Sequence, residues 1–202
     1  MLDLAVTFSG GGRTVLNLLS KIRAGALDAR IVLAVSDREC KGIERIEAED
    51  VAVASFPWTK GTTVDEYASL VWPRIEAAGA QLVCFCGFLR LLKIPDAWEN
   101  RVMNIHPALL PKFGGKGMWG DRVHRAVLEA GETESGCTVH FANNEYDKGP
   151  IIVQKRVPVL PDDTADSLAA RVFLAECEAY PEAVRLFGEG RLKVESGKVT
   201  IR

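Results

Sequence analysis

Apolar residues come in short dense runs through the first half of this chain. Leu2 to Phe8, Ala29 to Val35, Val51 to Phe56 and Gln81 to Cys86 are near-continuous apolar segments. Between them the apolar positions recur at helical spacing. Val15, Leu18, Leu19 and Ile22 form one such stripe, and a second helix is predicted from about Gly42 to Glu49. A third is predicted from the cap Thr63 to about Ala78, with Tyr67, Leu70, Val71 and Ile75 inward and Gly79 ending it. Apolar strands separated by amphipathic helices predict a parallel sheet covered by helices.

The second half reads differently. Val102 to Ile105 is a short strand that should stop near His106, because Pro107 cannot donate to a sheet ladder. A short helix at about Pro95 to Trp98 precedes it. Asp121 should cap a helix running to Ala130. Ser135 to Phe141 and Ile151 to Val157 read as neighbouring strands joined by a polar loop. A helix follows from Thr164 to about Tyr180, with Leu168, Val172, Glu176 and Ala179 on one stripe, and Pro181 should kink or interrupt it. Arg191 to Glu195 and Lys198 to Ile201, joined by Ser196-Gly197, predict a terminal hairpin. The predicted fold is α/β and Rossmann-like. Its doubly wound, mostly parallel sheet carries an antiparallel extension and a C-terminal β-hairpin. A length of 202 residues suits one domain. Residues 1–100 would form its phosphate-binding half and 101–202 its catalytic half.

Composition narrows the function classes. The chain is 48% hydrophobic and 26% charged, with a net charge of -2 and a pI near 6.0. No basic excess points to a nucleic-acid partner. No apolar run approaches the roughly 20 residues of a membrane span, and Met1-Leu2-Asp3-Leu4 lacks the basic start of a signal peptide. A cytoplasmic protein is expected. Five cysteines, an odd number without a CxxC pair, and three histidines offer no zinc-type spacing. Free thiols and no metal are expected.

Asn104 and His106 are two apart on a strand and share a face at its carboxyl end, where open α/β sheets bind ligands. An amide donor and an imidazole are the groups acyl transfer needs for an oxyanion and a proton. They are equally the groups that cap a strand end. Ser9-Gly10-Gly11-Gly12-Arg13-Thr14, between a strand and a helix, suits a phosphate cradle or a plain tight turn. Gly87-Phe88-Leu89-Arg90-Leu91-Leu92 suits a flat ligand or packing on its own domain. Lys112 to Gly120, with four glycines, suits a mobile lid over an anionic substrate or a solvated loop. Asp147 could set the charge of His106 or serve as a turn aspartate, and Glu176 could meet ligand hydroxyls or a neighbouring arginine.

Four motifs occur in order along the chain: Ser9-Gly10-x-Gly12, Gly87-Phe88-x-Arg90, Asn104-Ile105-His106-Pro107-x-Leu109-Leu110-Pro111 and Asp147-x-Gly149-Pro150-Ile151. The helix carrying Glu176 and Tyr180-Pro181 follows them. With this set the chain resembles the folate-dependent formyltransferases along essentially its whole length. The resemblance implies transfer of a formyl group from 10-formyltetrahydrofolate to the amine of 5'-phosphoribosylglycinamide in purine synthesis, without metal, by a monomer or homodimer. It implies that Asn104 and His106 polarise the formyl oxygen and that Asp147 sets the protonation of His106. Gly11, Gly12, Arg13 and Thr14 would hold the phosphate with help from Lys112, and Glu176 the ribose. Arg90, Leu91 and Leu92 would line the folate slot with Asn104, His140, Asn143 and Asp147. Two features depart from the family pattern: Arg13-Thr14 stand where a small hydroxyl residue and Asn are usual, and the loop Gly114 to Gly120 is longer. Other acceptors (methionyl-tRNA or a sugar nucleotide), formyl-folate hydrolysis, and a non-catalytic nucleotide-binding module remain open. The acidic balance weighs against tRNA.

Overall fold

The four apolar runs of the first hundred residues are strands in the computed structural model, which describes residues 1–202. The chain is an α/β fold with seven strands in the order β3-β2-β1-β4-β5-β6-β7 and a separate two-stranded hairpin, β8-β9. It divides into two compact units, Met1–Met103 and Asn104–Arg202.

In the first unit β1 (Leu2–Phe8) pairs in parallel with β2 (Ala29–Ser36) and β4 (Leu82–Phe85), and β2 pairs with β3 (Val53–Ser55). Leu4, Ala5, Val6 and Phe8 are fully buried, as expected of a strand covered on both faces. The helices are α1 (Arg13–Arg23), α2 (Lys41–Glu47) and α3 (Val64–Ala77). Thr63 caps α3 in a capping box with Glu66. Tyr67, Val71 and Ile75 point inward as the spacing predicts, but Leu70 is 54% exposed. Its place is taken by Trp72, whose indole is buried and donates to the Lys93 carbonyl at 2.6 Å. At 100° per residue Leu70 falls off the stripe that Ala68 and Trp72 extend.

β5 (Val102–His106) ends where Pro107 requires. The second unit then builds the antiparallel pair β6 (Glu134–Phe141) and β7 (Ile151–Pro158), with Cys137 opposite Lys155 and Thr138 opposite Gln154. Against β6 and β7 packs α5 (Ala165–Gly188), and α4 (Asp121–Glu129) packs on α5. Two expectations are corrected here. Asp121 is the first residue of α4 rather than its cap; Gly120 stands at the cap, and Asp121 pairs with Arg125 one turn on. Pro181 does not stop α5, which continues to Gly188. A helical proline costs about 3 kcal/mol. Pro181 itself and Ala183, Val184 and Leu186 beyond it are buried, and that packing outweighs the lost hydrogen bond. β8 (Leu192–Glu195) and β9 (Lys198–Ile201) form the predicted hairpin. No helix is long and apolar enough to cross a membrane.

Candidate active site

The turn after β5 is pinned by one buried hydroxyl. Thr138 Oγ1 donates to the Ala108 carbonyl at 2.7 Å and accepts from the Leu110 N–H at 3.1 Å and Gln154 Nε2 at 2.9 Å. Gln154 Nε2 also donates to the Leu110 carbonyl. β6 and β7 thereby fix where β5 ends, and with it the side chains of Asn104 and His106.

Four polar side chains of the second unit meet there. Asn104 Nδ2 donates to Asp147 Oδ1 at 3.3 Å and to His140 Nε2 at 3.1 Å. His106 Nδ1 lies 3.5 Å from Asp147 Oδ2, and His140 Nε2 lies 3.6 Å from Asp147 Oδ1. Both imidazoles are buried, and Asp147 retains a small opening, its side chain being 9% exposed.

Main-chain groups set the tautomers. His106 Nε2–H donates to the Phe113 carbonyl at 2.8 Å, which turns its Nδ1 toward the carboxylate. His140 Nδ1–H donates to the Phe141 carbonyl at 2.9 Å, leaving Nε2 to accept from Asn104. The Gly115 N–H donates to Asp147 Oδ2 at 2.9 Å. Phe113 and Asp147 both have φ 56°, a left-handed backbone costing on the order of 1–3 kcal/mol at such positions. The neighbouring glycines are close-approach positions. A Cβ on Gly114 would lie 3.3 Å from Asp147 Cβ and press on Leu110, and one on Gly149 would collide with the Phe141 carbonyl oxygen.

The electrostatics follow from burial. Desolvation holds His106 below the ordinary histidine value; Asp147 and the Phe113 carbonyl pull it back only in part, and His140 adds to the lowering. Burial alone would raise the Asp147 carboxyl. A proton on the nitrogen that His140 or His106 turns toward it, together with the Gly115 N–H, outweighs that and holds it below the usual carboxylate range. The result is an anionic carboxylate beside a neutral imidazole whose free nitrogen faces it. Such a pair can accept a proton at His106 Nδ1 and stabilise the resulting cation.

Asn104, His106, His140 and Asp147 are thus brought together. Asn143, exposed, closes the turn before Asp147 by accepting the Glu145 N–H at 3.0 Å. Lys112 is exposed and its amine is paired with Glu132 at 2.7 Å. Glu176 lies half-buried on α5; burial, and then nearness of that carboxylate, push the Cys137 thiol up to about 12. None of the five cysteines is joined in a disulfide.

The remaining predicted residues belong to the first unit. Gly12, at φ 70°, starts α1, and no side chain caps it. Gly11 is exposed, and its carbonyl accepts from Arg45 Nη1 at 2.6 Å; Gly42 N–H holds the Gly10 carbonyl at 3.1 Å. Arg13 and Thr14 open the helix. Arg90 directs its guanidinium to Asp37 at 3.2 Å, Leu91 is half-buried and Leu92 is buried. The sequence reading missed the carbonyls of Phe113 and Phe141, the Gly115 N–H and the close-packed Gly114. The glycine-rich run from Gly114 and the Gly149 of the Asp147 motif were the available signals.

A carboxylate, two imidazoles and an amide gathered at the carboxyl end of β5 are the groups an acyl-transfer centre needs. Residues 2–184 match the formyl transferase family model, and the chain belongs to that family. Among its relatives, the chloroplastic phosphoribosylglycinamide formyltransferase of Arabidopsis thaliana is 39% identical over 94% of this chain. The trifunctional purine biosynthetic protein adenosine-3 of Drosophila pseudoobscura pseudoobscura is 37% identical over 94% of it. The chain spans 66% of the length of the former and 14% of the latter. The crystal structure of glycinamide ribonucleotide transformylase 1 from Symbiobacterium toebii is 38% identical, with a TM-score of 0.93 covering 100% of this chain and 94% of that one.

Proposed function

We propose that the chain transfers the formyl group of 10-formyltetrahydrofolate to the amine of 5'-phosphoribosylglycinamide, in the cytoplasm, as a step of purine biosynthesis. The observation that carries this reading is the pairing of a neutral, buried His106 with an ionised Asp147 beside the Asn104 amide. The family, and the activities its relatives are named for, support the same reaction and acceptor.

The amine attacks in its neutral form and loses a proton as the new bond forms. His106 Nδ1 takes that proton, since Nε2–H is committed to Phe113, and Asp147 stabilises the imidazolium. His106 then returns the proton to the departing folate nitrogen. Asn104 spends both amide protons inside the cluster, and the 3.3 Å bond to Asp147 is the longer of the two. That proton is the one to turn toward the developing oxyanion. His140, locked by Phe141, keeps the amide oriented.

The folate is a co-substrate. The main-chain groups of Arg90, Leu91 and Leu92 make no hydrogen bond within the chain and fit a flat heteroaromatic edge. In the second unit, His140, Asn143 and Asp147 would also bind folate. The α1 N-terminus with Gly11, Gly12, Arg13 and Thr14 would take the phosphate, Lys112 would assist from its exposed position, and Glu176 would bind ribose hydroxyls. The chain would do this as a single formyltransferase domain, a monomer or homodimer.

A spectroscopic assay with 10-formyltetrahydrofolate tests the reading, one cuvette receiving phosphoribosylglycinamide and the other buffer. Folate product is expected only with the ribonucleotide. Equal release in both would mean hydrolysis and overturn the acceptor assignment.

A further inference from the structure

The most completely buried charge of the first unit lies outside the catalytic cluster. Asp37 follows β2, and its side chain is 0% exposed. A carboxylate so placed is costly unless paired. Arg38 grips it with two bonds, Nε to Oδ1 at 3.1 Å and Nη2 to Oδ2 at 2.9 Å. Arg90, 53 residues on, adds a third from Nε to Oδ2 at 3.2 Å. The Asp37 carbonyl accepts from the Trp58 N–H at 2.8 Å, and the Arg90 guanidinium lies 5.2 Å from the centre of the Trp58 ring. Tyr67 closes the apolar side, 4.9 Å from Trp58 and 6.4 Å from Phe88. The Tyr67 hydroxyl has no partner, and burial, then the Asp37 charge, raise it above its ordinary range. Water is thereby kept from one side of the ion cluster, which strengthens it.

The cluster fixes one point of an irregular segment. From Gly87 to Lys93 the chain is held at four places. Ser9 N–H donates to the Gly87 carbonyl at 3.1 Å, and Leu89 N–H donates to Ser9 Oγ at 2.9 Å. Arg90 is tied to Asp37, and the Lys93 carbonyl is tied to Trp72 at 2.6 Å. Between the Leu89 and Lys93 ties the main-chain groups of Arg90, Leu91 and Leu92 make no hydrogen bond within the chain. A peptide edge with fixed ends and free donors and acceptors suits a planar heteroaromatic ring.

We infer that Asp37 is a positioning residue for the folate. It spends the Arg90 side chain on an internal ion pair and so holds the main chain of residues 90–92 in its binding conformation. The inference rests on the formyl-folate reading given above.

The test is steady-state kinetics on the full chain, varying 10-formyltetrahydrofolate and phosphoribosylglycinamide separately. The variants are Asp37→Asn, Arg90→Met and the double variant, each checked for folding by thermal melt. Asp37→Asn is expected to raise the folate KM about tenfold, with kcat within about threefold and the ribonucleotide KM unchanged. Arg90→Met should do the same, and the double variant should be no worse than either single one. A folded Asp37→Asn with a wild-type folate KM would overturn the inference. So would additive losses in the double variant, or equal changes in both KM values. Should Asp37→Asn fail to fold, Arg90→Met decides alone, since it keeps the backbone: an unchanged folate KM sinks the inference. A wild-type chain without turnover on formyl-folate removes the functional reading and this inference together. An active wild type with an unaffected Asp37→Asn removes only the inference.

Discussion

Two buried carboxylates in this molecule are held in opposite ways. Asp37 is gripped by Arg38 and Arg90, whose charge does not titrate near neutral pH. Asp147 is held by two imidazoles, an amide and one backbone N–H, at 2.9 to 3.6 Å. The first arrangement has one pattern of charged partners and one geometry. The second has several of each within small displacements, because its partners can gain, lose or redirect a proton. A carboxylate among arginines is built as a fastener, and a carboxylate among histidines has the parts of the proposed relay. The Asp37 side chain is fully buried and that of Asp147 is 9% exposed, but it is the chemistry of the partners that separates the two.

Breaking the relay should give the largest effect. Asn104→Ala is expected to lower kcat about a hundred- to a thousandfold in a protein that melts normally. Near-normal turnover would remove Asn104 from the oxyanion role. Gly149→Ala acts on the same cluster from behind, by displacing the Phe141 carbonyl that orients His140. We expect roughly a tenfold loss in kcat with a stability loss of about 2 kcal/mol, read by urea titration. An unchanged denaturation midpoint would mean that the backbone absorbs the methyl group freely.

The fastener should fail differently. Asp37→Ala is expected to cost about 1–2 kcal/mol in the same urea titration. A fully buried pair would cost more, but both arginines reach solvent and are partly hydrated already. If kcat fell as far as in Asn104→Ala, the distinction between the two carboxylates would collapse.

The smallest effect is on pH. His106 and His124 are both held below the ordinary value of 6.5, in each case first by burial. As pH falls through 6.5 the unfolded chain therefore binds protons before the folded one does. Stability should decline toward acid, by at most about 1.4 kcal/mol per pH unit for each histidine. Melts between pH 7.5 and 5 should show this slope, and His124→Asn should reduce it. The acid limb of kcat should likewise lie below 6.5, because His106 must be neutral to accept a proton. A flat stability profile, or a limb above 6.5, would contradict the burial argument.

Much of this was legible in the residues. The apolar runs marked β1, β2 and β4, Pro107 marked the end of β5, and the alternation of a strand put Asn104 beside His106. What could not be read were partners that are backbone atoms. The Phe113 carbonyl and the Gly115 N–H carry no residue type, so composition is blind to them, although they set the tautomer of His106 and the charge of Asp147. Long-range ion pairs were hidden for another reason. Asp37 looks like any residue after a strand until Arg90 is folded against it. Pro181 misled because its local penalty was weighed without the buried face that follows it.

The five-residue strand β5 has a consequence for how this chain tolerates length changes. Asn104 and His106 occupy one side of its pleat, and Met103 and Ile105, both buried, the other. Inserting or deleting a single residue ahead of Asn104 would exchange the two sides. The chemistry would turn into the core and the apolar side chains into the cluster. Length at this strand is therefore quantised in steps of two, and a frame of one is lost to folding and to catalysis in the same event.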